Sequence, residues 1–191
     1  MPVSDNELIL KFICGDENAF MEIVSRYKDP ITNYINTLLG DYERAVDLAQ
    51  ETFLRVYRNA ERYKNTFQFS TWIYRIATNL AIDEIRWRKR YCRIFNPNIN
   101  GKAYADLEEL SVPDNRLSPD EALINEERRR IIMVAINSLP EKYRTVLVLK
   151  EVQDLSYERI AEVLGCSIGT VKSRLHRARD LLRKKLKGHV I

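Results

Sequence analysis

Apolar residues recur at steps of three and four along most of this chain, and no segment alternates in the manner of a β-strand. The pattern predicts helices over residues 5–14, 17–39, 42–61 and 70 to about 90. Within the second of these, Pro30 either kinks one helix or starts another, and Gly40 ends the segment. A helical pattern also covers residues 118–138, and Pro140 suits the first turn of the next helix. The chain is therefore predicted to be all-α.

The helical pattern breaks between residues 96 and 120. Asn96-Pro97-Asn98, Gly101, Pro113 and Pro119 interrupt it, and acidic side chains outnumber basic ones there. This composition predicts a flexible linker. The sequence thus divides into two helical domains, residues 1–95 and 121–191, joined by residues 96–120.

Residues 154–182 have the pattern of a helix-turn-helix. Ser156 is placed to cap a first helix, Gly165 to make the turn, and Ser167 to cap a second helix. The apolar series of the second helix leaves one side facing outward, and its residues are of the types that contact phosphates and base edges in a major groove. These candidate duplex-binding residues are Thr170, Lys172, Ser173, Arg174, His176 and Arg177.

Charge is distributed unevenly along the chain. The net charge is +1 for residues 1–95, −4 for residues 96–124 and +7 for residues 125–191, within an overall +4. A basic C-terminal part behind an acidic linker indicates an anionic partner such as DNA. The three cysteines have no CxxC spacing and are expected to be reduced thiols, and with two histidines neither a metal site nor a cofactor site is predicted. Without a signal peptide or a long apolar run, we expect a cytoplasmic protein that does not insert into a membrane.

The loop at residues 61–69 and the helix after it combine aromatic, amide and cationic side chains. Such residues are suited to single-stranded DNA, because rings stack on bases, amides read their edges and arginines hold the backbone. The candidate residues are Tyr63, Lys64, Asn65, Phe67, Phe69, Trp72, Asn79 and Arg86. The alternative is that Phe69, Trp72 and Tyr74 belong to the core and that the basic helix end is simply solvated. The residues alone leave both interpretations open.

The helix at residues 42–61 carries Asp47, Gln50 and Glu51 within two turns of its outer face. This arrangement is compatible with docking on a basic or polar protein surface. The pattern alone, however, favours a solvated helix with charge pairs four residues apart, such as Glu51 with Arg55.

Taken together, several motifs resemble those of the bacterial extracytoplasmic-function (ECF, group 4) sigma factors. Three N-terminal motifs are similar to a sigma-2 domain: Gly15-Asp-Glu-Asn-Ala-Phe20, Asp47-Leu-Ala-Gln-Glu-Thr-Phe53 and Phe69-Ser-Thr-Trp-Ile-Tyr-Arg-Ile-Ala-Thr-Asn79. Three C-terminal motifs are similar to a sigma-4 domain: Leu139-Pro-Glu-Lys-Tyr-Arg144, Leu155-Ser-Tyr-Glu-Arg-Ile-Ala161 and Arg177-Ala-Arg179. The resemblance implies an alternative sigma factor that gives core RNA polymerase its promoter specificity and has no catalytic residues of its own.

The resemblance also assigns roles by position. It implies that Asp47, Gln50 and Glu51 contact the clamp helices of the polymerase β′ subunit. The loop from Tyr63 to Phe69 would capture a flipped base of the −10 element, and Asn79 would contact the melted strand. The outer face of residues 170–177 would read the −35 element as duplex, in a domain that also contacts the β flap. An anti-sigma factor, often membrane-anchored, is the expected regulator.

Two other classes of function are weaker alternatives. A free-standing helix-turn-helix regulator would bind duplex DNA without polymerase, but the alternating βα pattern of a receiver domain is not found in this sequence. A metal-dependent nuclease would have to use Asp41, Glu43, Asp47 and Glu51. These carboxylates lie along one amphipathic helix without a histidine or a second convergent cluster, which disfavours an enzyme.

Overall fold

The computed structural model describes residues 3–95 and 119–187, and within these ranges the protein is all-α, as predicted. The predicted linker lies outside the described residues, apart from its last two positions. Pro119 and Asp120 are already helical, in agreement with the helical pattern predicted from residue 118.

Four helices form the N-terminal half: α1 (Asp5–Ile13), α2 (Glu17–Leu39), α3 (Tyr42–Asn59) and α4 (Phe69–Phe95), with a 3-10 turn at Ala60–Arg62. Local capping explains several of these bounds. Ser4 and Glu7 form a reciprocal capping box at the start of α1, and Asp16 and Asp41 cap α2 and α3. The fourth helix begins one residue before the predicted start and continues five residues beyond its predicted end at Arg90.

The second helix runs through Pro30 as one continuous helix. Pro30 lies on the exposed side of the helix, where its ring does not interrupt core packing. Gly40 then ends α2 in the left-handed conformation, with φ of 68°. The ambiguity about this segment is resolved in favour of a single helix.

The C-terminal half contains α5 (Pro119–Asn137), α6 (Glu141–Glu151), α7 (Tyr157–Leu164) and α8 (Ile168–Leu186). Ser156 caps α7 through the Arg159 N–H, and Ser167 caps α8 through the Thr170 N–H. Gly165 makes the intervening turn with φ of 60°. The predicted helix-turn-helix is confirmed.

The two halves pack against each other, and their buried apolar residues form one continuous cluster. The main contacts are α4 with α7 and α2 with α5 and α6. The buried guanidinium of Arg144 donates to the Leu38 carbonyl of α2 at 2.6 Å, and also to the carbonyls of Asn137 and Leu139. One arginine therefore satisfies carbonyls at the ends of helices from both halves.

A second polar contact joins α4 to the segment before α7. The Tyr74 hydroxyl donates to Gln153 Oε1 at 2.5 Å. Burial raises the pKa of Tyr74 to about 12, so the phenol keeps its proton and remains a donor at neutral pH.

Candidate nucleic-acid and protein interfaces

The outer face of α3 brings together the three residues predicted to contact a protein, Asp47, Gln50 and Glu51. Their charges are partly balanced within the helix: Arg44 Nη1 lies 3.5 Å from Asp47 Oδ2, and Arg55 Nε donates to Glu51 Oε1 at 2.8 Å. Leu54, which is not among the residues predicted from the sequence, lies one turn beyond Gln50 and is 48% exposed. We call Asp47, Gln50, Glu51 and Leu54 the α3 face; it offers carboxylates and an amide around an apolar side chain.

The 63–69 loop, between the 3-10 turn and α4, is folded over its own aromatic residues. Phe69 is fully buried and Tyr63 nearly so, and the rings of Tyr63 and Trp72 lie 5.3 Å apart. Phe67 is 49% exposed, and Lys64 and Asn65 are also exposed. The predicted base-stacking residues therefore divide into two groups: Phe67 is accessible, while Tyr63 and Phe69 support the loop from inside.

A residue outside the sequence candidates, Asn6 of α1, holds this loop. Its Oδ1 accepts from the Phe69 N–H at 2.8 Å, and its Nδ2 donates to Asn65 Oδ1 at 3.0 Å. The Tyr63 hydroxyl oxygen lies 2.6 Å from the Phe67 carbonyl oxygen and 3.1 Å from Asn6 Oδ1. Its single hydrogen can be donated to either acceptor. No local sequence signal marks Asn6, since its partners follow it by about sixty residues.

A cleft of about 420 Å³ opens between the start of α1 and the end of this loop. Its lining is the N-terminal segment 3–6, Arg26 of α2, and the segment 68–70. The volume lies in the range of pockets that bind small ligands or cofactors, about 300–1,000 Å³.

Outward-facing residues of α4 continue from the loop toward the C-terminal half. Asn79 is exposed, whereas Arg86 is engaged: its Nε and Nη2 donate to Glu141 Oε1 of α6 at 3.0 and 2.8 Å. Beyond Arg86, the rings of Trp87 and Tyr91 stack with their centroids 5.3 Å apart, and both side chains are half exposed. This pair is not among the residues predicted from the sequence, although the two residues are four positions apart. The predicted strand-binding residues thus extend from the loop to the contact between the two halves.

The outer face of α8 holds the predicted duplex-binding residues. Thr170 takes part in the helix cap, where its Oγ1 lies 2.9 Å from Ser167 Oγ, and Ser173 Oγ donates to the Thr170 carbonyl at 3.0 Å. Lys172 Nζ lies 5.9 Å from the centre of the Tyr157 ring, and His176 Nε2 lies 3.4 Å from Asp180 Oδ2.

The arginines of α8 differ in their partners. Within the described residues, neither Arg174 nor Arg177 forms an ion pair. By contrast, Arg179 donates to Glu151 Oε1 at 3.0 and 2.6 Å. Arg174 and Arg177 are therefore available to an external anion in the middle of the predicted recognition surface.

Three of the four carboxylates considered for a metal-dependent nuclease, Asp41, Asp47 and Glu51, have cationic partners. Asp41 accepts from the Arg44 N–H at 2.9 Å and from Arg88 Nη2 at 2.7 Å. Across residues 3–95 and 119–187, no group of three or more His, Cys, Asp or Glu side chains is arranged to hold a metal ion. In the same ranges, no helix is long and apolar enough to cross a membrane.

Comparison with known sequences identifies the family of this chain. The family model of Sigma-70 region 2 matches residues 23–91, and that of Sigma-70 region 4 matches residues 129–182. The ECF RNA polymerase sigma factor SigW of Bacillus subtilis is 42% identical over 173 residues, which cover 91% of each chain. The ECF RNA polymerase sigma-E factor of Haemophilus influenzae is 32% identical over 190 residues, covering 96% of each chain.

Solved structures share the fold. CnrH in complex with the cytosolic domain of CnrY aligns with a TM-score of 0.71 at 20% identity, covering 98% of this chain and 99% of CnrH. The sigma factor RpoE of Bartonella quintana, in complex with the anti-sigma factor NepR, aligns with a TM-score of 0.68 at 23% identity, covering 88% and 96% of the two chains. Because SigW and the sigma-E factor match this chain along most of its length, the chain belongs to the ECF family of RNA polymerase sigma factors.

Proposed function

We propose that this sigma factor divides promoter binding between its two halves while its α3 face attaches it to core RNA polymerase. The C-terminal half binds the −35 element as duplex, and the N-terminal half binds the melted strand of the −10 element. The observation that carries this proposal is the presence, in one chain, of a helix-turn-helix whose Arg174 and Arg177 form no ion pair with any described residue, together with a separate aromatic loop beside a cleft. The chain initiates transcription in the cytoplasm through binding alone and takes no catalytic step.

Duplex binding is assigned to α8. Arg174 and Arg177 lie in the middle of its outer face, and Lys172 and Ser173 flank them. Neutralising phosphates releases counterions, so this binding weakens steeply as salt rises. Contacts from the same face to base edges supply the sequence preference.

Strand capture is assigned to the 63–69 loop and the neighbouring face of α4. The exposed Phe67 ring offers a stacking surface, with Lys64 and Asn65 beside it. Removing a base from the stack costs a few kcal/mol, which contacts to the flipped base must offset. Because those contacts exist only with the open strand, they favour melting.

Attachment to polymerase is assigned to the α3 face, against the clamp helices of β′, with the C-terminal half on the β flap. Support comes from the grouping of carboxylates and an amide around exposed Leu54. Interfaces of this kind combine a small apolar centre with a polar rim.

Regulation by an anti-sigma factor is part of the proposal. Its support is the shared fold with CnrH and RpoE, whose structures contain CnrY and the anti-sigma factor NepR respectively. A membrane-anchored partner of this kind would hold the chain at the membrane.

The decisive test is run-off transcription from genomic fragments of the source bacterium, using core polymerase with and without this chain. We expect discrete new start sites only when both are present, and alignment of those sites gives the two promoter elements. Arg174→Glu should abolish initiation at them, whereas the matched charge reversal Arg183→Glu, at the end of α8, should preserve it. Specific duplex binding by the chain alone, without core-dependent initiation, would instead identify a free-standing regulator.

A further inference from the structure

We propose that Asn6 is a positioning residue for promoter opening: it fixes the 63–69 loop in the shape that receives the captured base. The inference rests on the function proposed above and extends it to α1, which no motif of the sequence connects with DNA. Three observations support it: the hydrogen bonds of Asn6, the rigidity of its own helix, and its position on the cleft.

The first observation concerns which parts of the loop Asn6 reaches. Its bond to the Phe69 N–H lies where the loop ends, and its bond to Asn65 lies near the middle of the loop. Phe69 is the first residue of α4, so its N–H has no acceptor within that helix. Asn6 therefore caps α4 from a helix that is distant in sequence, and it fixes the point at which loop becomes helix.

The second observation is that Asn6 itself is firmly held. The preceding residue, Asp5, accepts from Arg26 Nη1 at 2.8 Å and from the Tyr27 hydroxyl at 2.7 Å, both on α2. Arg26 also donates to the Val3 carbonyl at 2.8 Å. The start of α1 is thus fastened to α2, and a site held by regular elements is more precise than one held by a loop alone.

The third observation is the location of these groups. Asn6 lines the 420 Å³ cleft together with Gln68 and Ser70, which follow the exposed Phe67. The buried rings of Tyr63 and Phe69 are occupied in packing, with Phe69 edge-on to Tyr27 at 5.5 Å. Loss of the Asn6 amide would free the loop at the Phe69 N–H and at the Asn65 side chain, and the exposed loop side chains themselves would remain. Asn6 therefore acts on the shape of the loop and, through that shape, on the preference for the captured base.

The test measures binding of holoenzyme, formed from core polymerase and this chain, to the non-template strand of a −10 element taken from a mapped start site. A series of oligonucleotides varies each base of the element in turn. We expect Asn6→Ala to lower affinity for the preferred strand by about tenfold, as two hydrogen bonds of ordinary strength imply. We also expect the preference at the captured position to fall toward none, while core binding and duplex binding to the −35 element stay unchanged.

The chain offers a matched control in Asn18. It occupies the same second helical position in α2 that Asn6 occupies in α1, and its side chain is exposed with no hydrogen bond to any described residue. Asn18→Ala should behave as wild type. Asn6→Asp keeps an acceptor for the Phe69 N–H and should restore most of the base preference, which a merely destabilised chain would not do.

Wild-type base preference in folded Asn6→Ala overturns the inference. If Asn6→Ala does not fold, Asn65→Ala decides, because it removes the Asn6–Asn65 bond while Asn6 still accepts from the Phe69 N–H. Wild-type preference in that variant would then overturn the inference. Failure of the proposed function looks different, since wild-type chain would then give no core-dependent initiation and no strand binding in the holoenzyme.

Discussion

Arg86 on α4 donates two hydrogen bonds to a single oxygen of Glu141 on α6, at 3.0 and 2.8 Å, and so bridges the two halves of the protein. The Arg86 side chain is 57% exposed and that of Glu141 is 22% exposed. Arg86 is also one of the residues proposed to hold the melted strand. A carboxylate of the other half therefore holds the guanidinium that is proposed to bind the strand.

This arrangement predicts opposite effects of two substitutions. Glu141→Gln removes the competing charge and should raise affinity for the −10 strand by about two- to fivefold at low salt, the range expected for one exposed ion pair. Arg86→Ala should lower it, and adding Glu141→Gln to Arg86→Ala should change nothing further. Strand binding by holoenzyme at several salt concentrations measures all three variants. An equal gain from Glu141→Gln in the presence and absence of Arg86 would contradict the bridge.

The α3 face predicts a loss of polymerase binding on charge reversal. Glu51→Lys should weaken binding of the chain to core polymerase by about tenfold or more, because it places a cation where a carboxylate docks. Glu51 also pairs with Arg55, so Arg55→Ala is the necessary control. It breaks the same pair but keeps the carboxylate, and affinity for core polymerase should be retained. Glu43→Lys, near the start of α3, tests whether any charge reversal on the helix has the same effect.

Two arginines of α8 should differ in their effect on duplex binding. Arg177→Ala should lower affinity for −35 duplex and reduce the slope of log affinity against log salt by about one, as expected for a phosphate contact. Arg179→Ala should change both much less, because Glu151 already holds that guanidinium. Titration of holoenzyme with −35 duplex over a range of salt gives both slopes. Equal slopes for the two variants would remove the assignment of Arg177 to the phosphate surface.

An ion-pair cluster between α3 and α4 predicts that the protein loses stability in acid. Burial by itself raises the pKa of Glu84, but hydrogen bonds from Arg44 and Arg88 outweigh it and hold that pKa below its ordinary value of 4.5. The pKa of Asp41 is lowered in the same way, with burial opposed by the Arg44 N–H and by Arg88. Since both pKa values are lowered by folding, the stabilisation is present above the ordinary values and disappears as pH falls through the lowered ones.

Urea unfolding between pH 7 and pH 3 measures this effect. Glu84→Gln should lower the free energy of unfolding at pH 7 by about 1–3 kcal/mol and flatten its decline in acid. The exposed control Glu22→Gln, on α2, should leave the decline nearly as steep as in wild type. A Glu84→Gln variant with an unchanged pH profile would show that the cluster does not stabilise the folded state.

Local rules account well for the helix starts and for the helix-turn-helix. Ser4, Asp16, Ser156 and Ser167 cap their helices through residues two or three positions away, and Gly40 and Gly165 end theirs through their own left-handed backbone. Because these interactions span only a few residues, they can be predicted from the sequence alone. The end of α4 predicted at Arg90 is five residues too early, because the helix continues through a basic segment in which the apolar pattern is weaker.

By itself, then, the sequence determined the all-α class, the cation-rich face of α8 and the family, because periodicity, caps and motif order are local properties of the chain. Tertiary structure alone decided that Phe69 and Tyr63 lie inside the loop while Phe67 lies outside, that Asn6 holds that loop, and that Arg144 joins helix ends of both halves. The sequence does not show whether an aromatic ring, an amide or a guanidinium faces water or contacts a residue far along the chain. Tertiary packing decides this, because a buried polar group needs a hydrogen-bond partner and the fold determines which residue is near enough to be that partner.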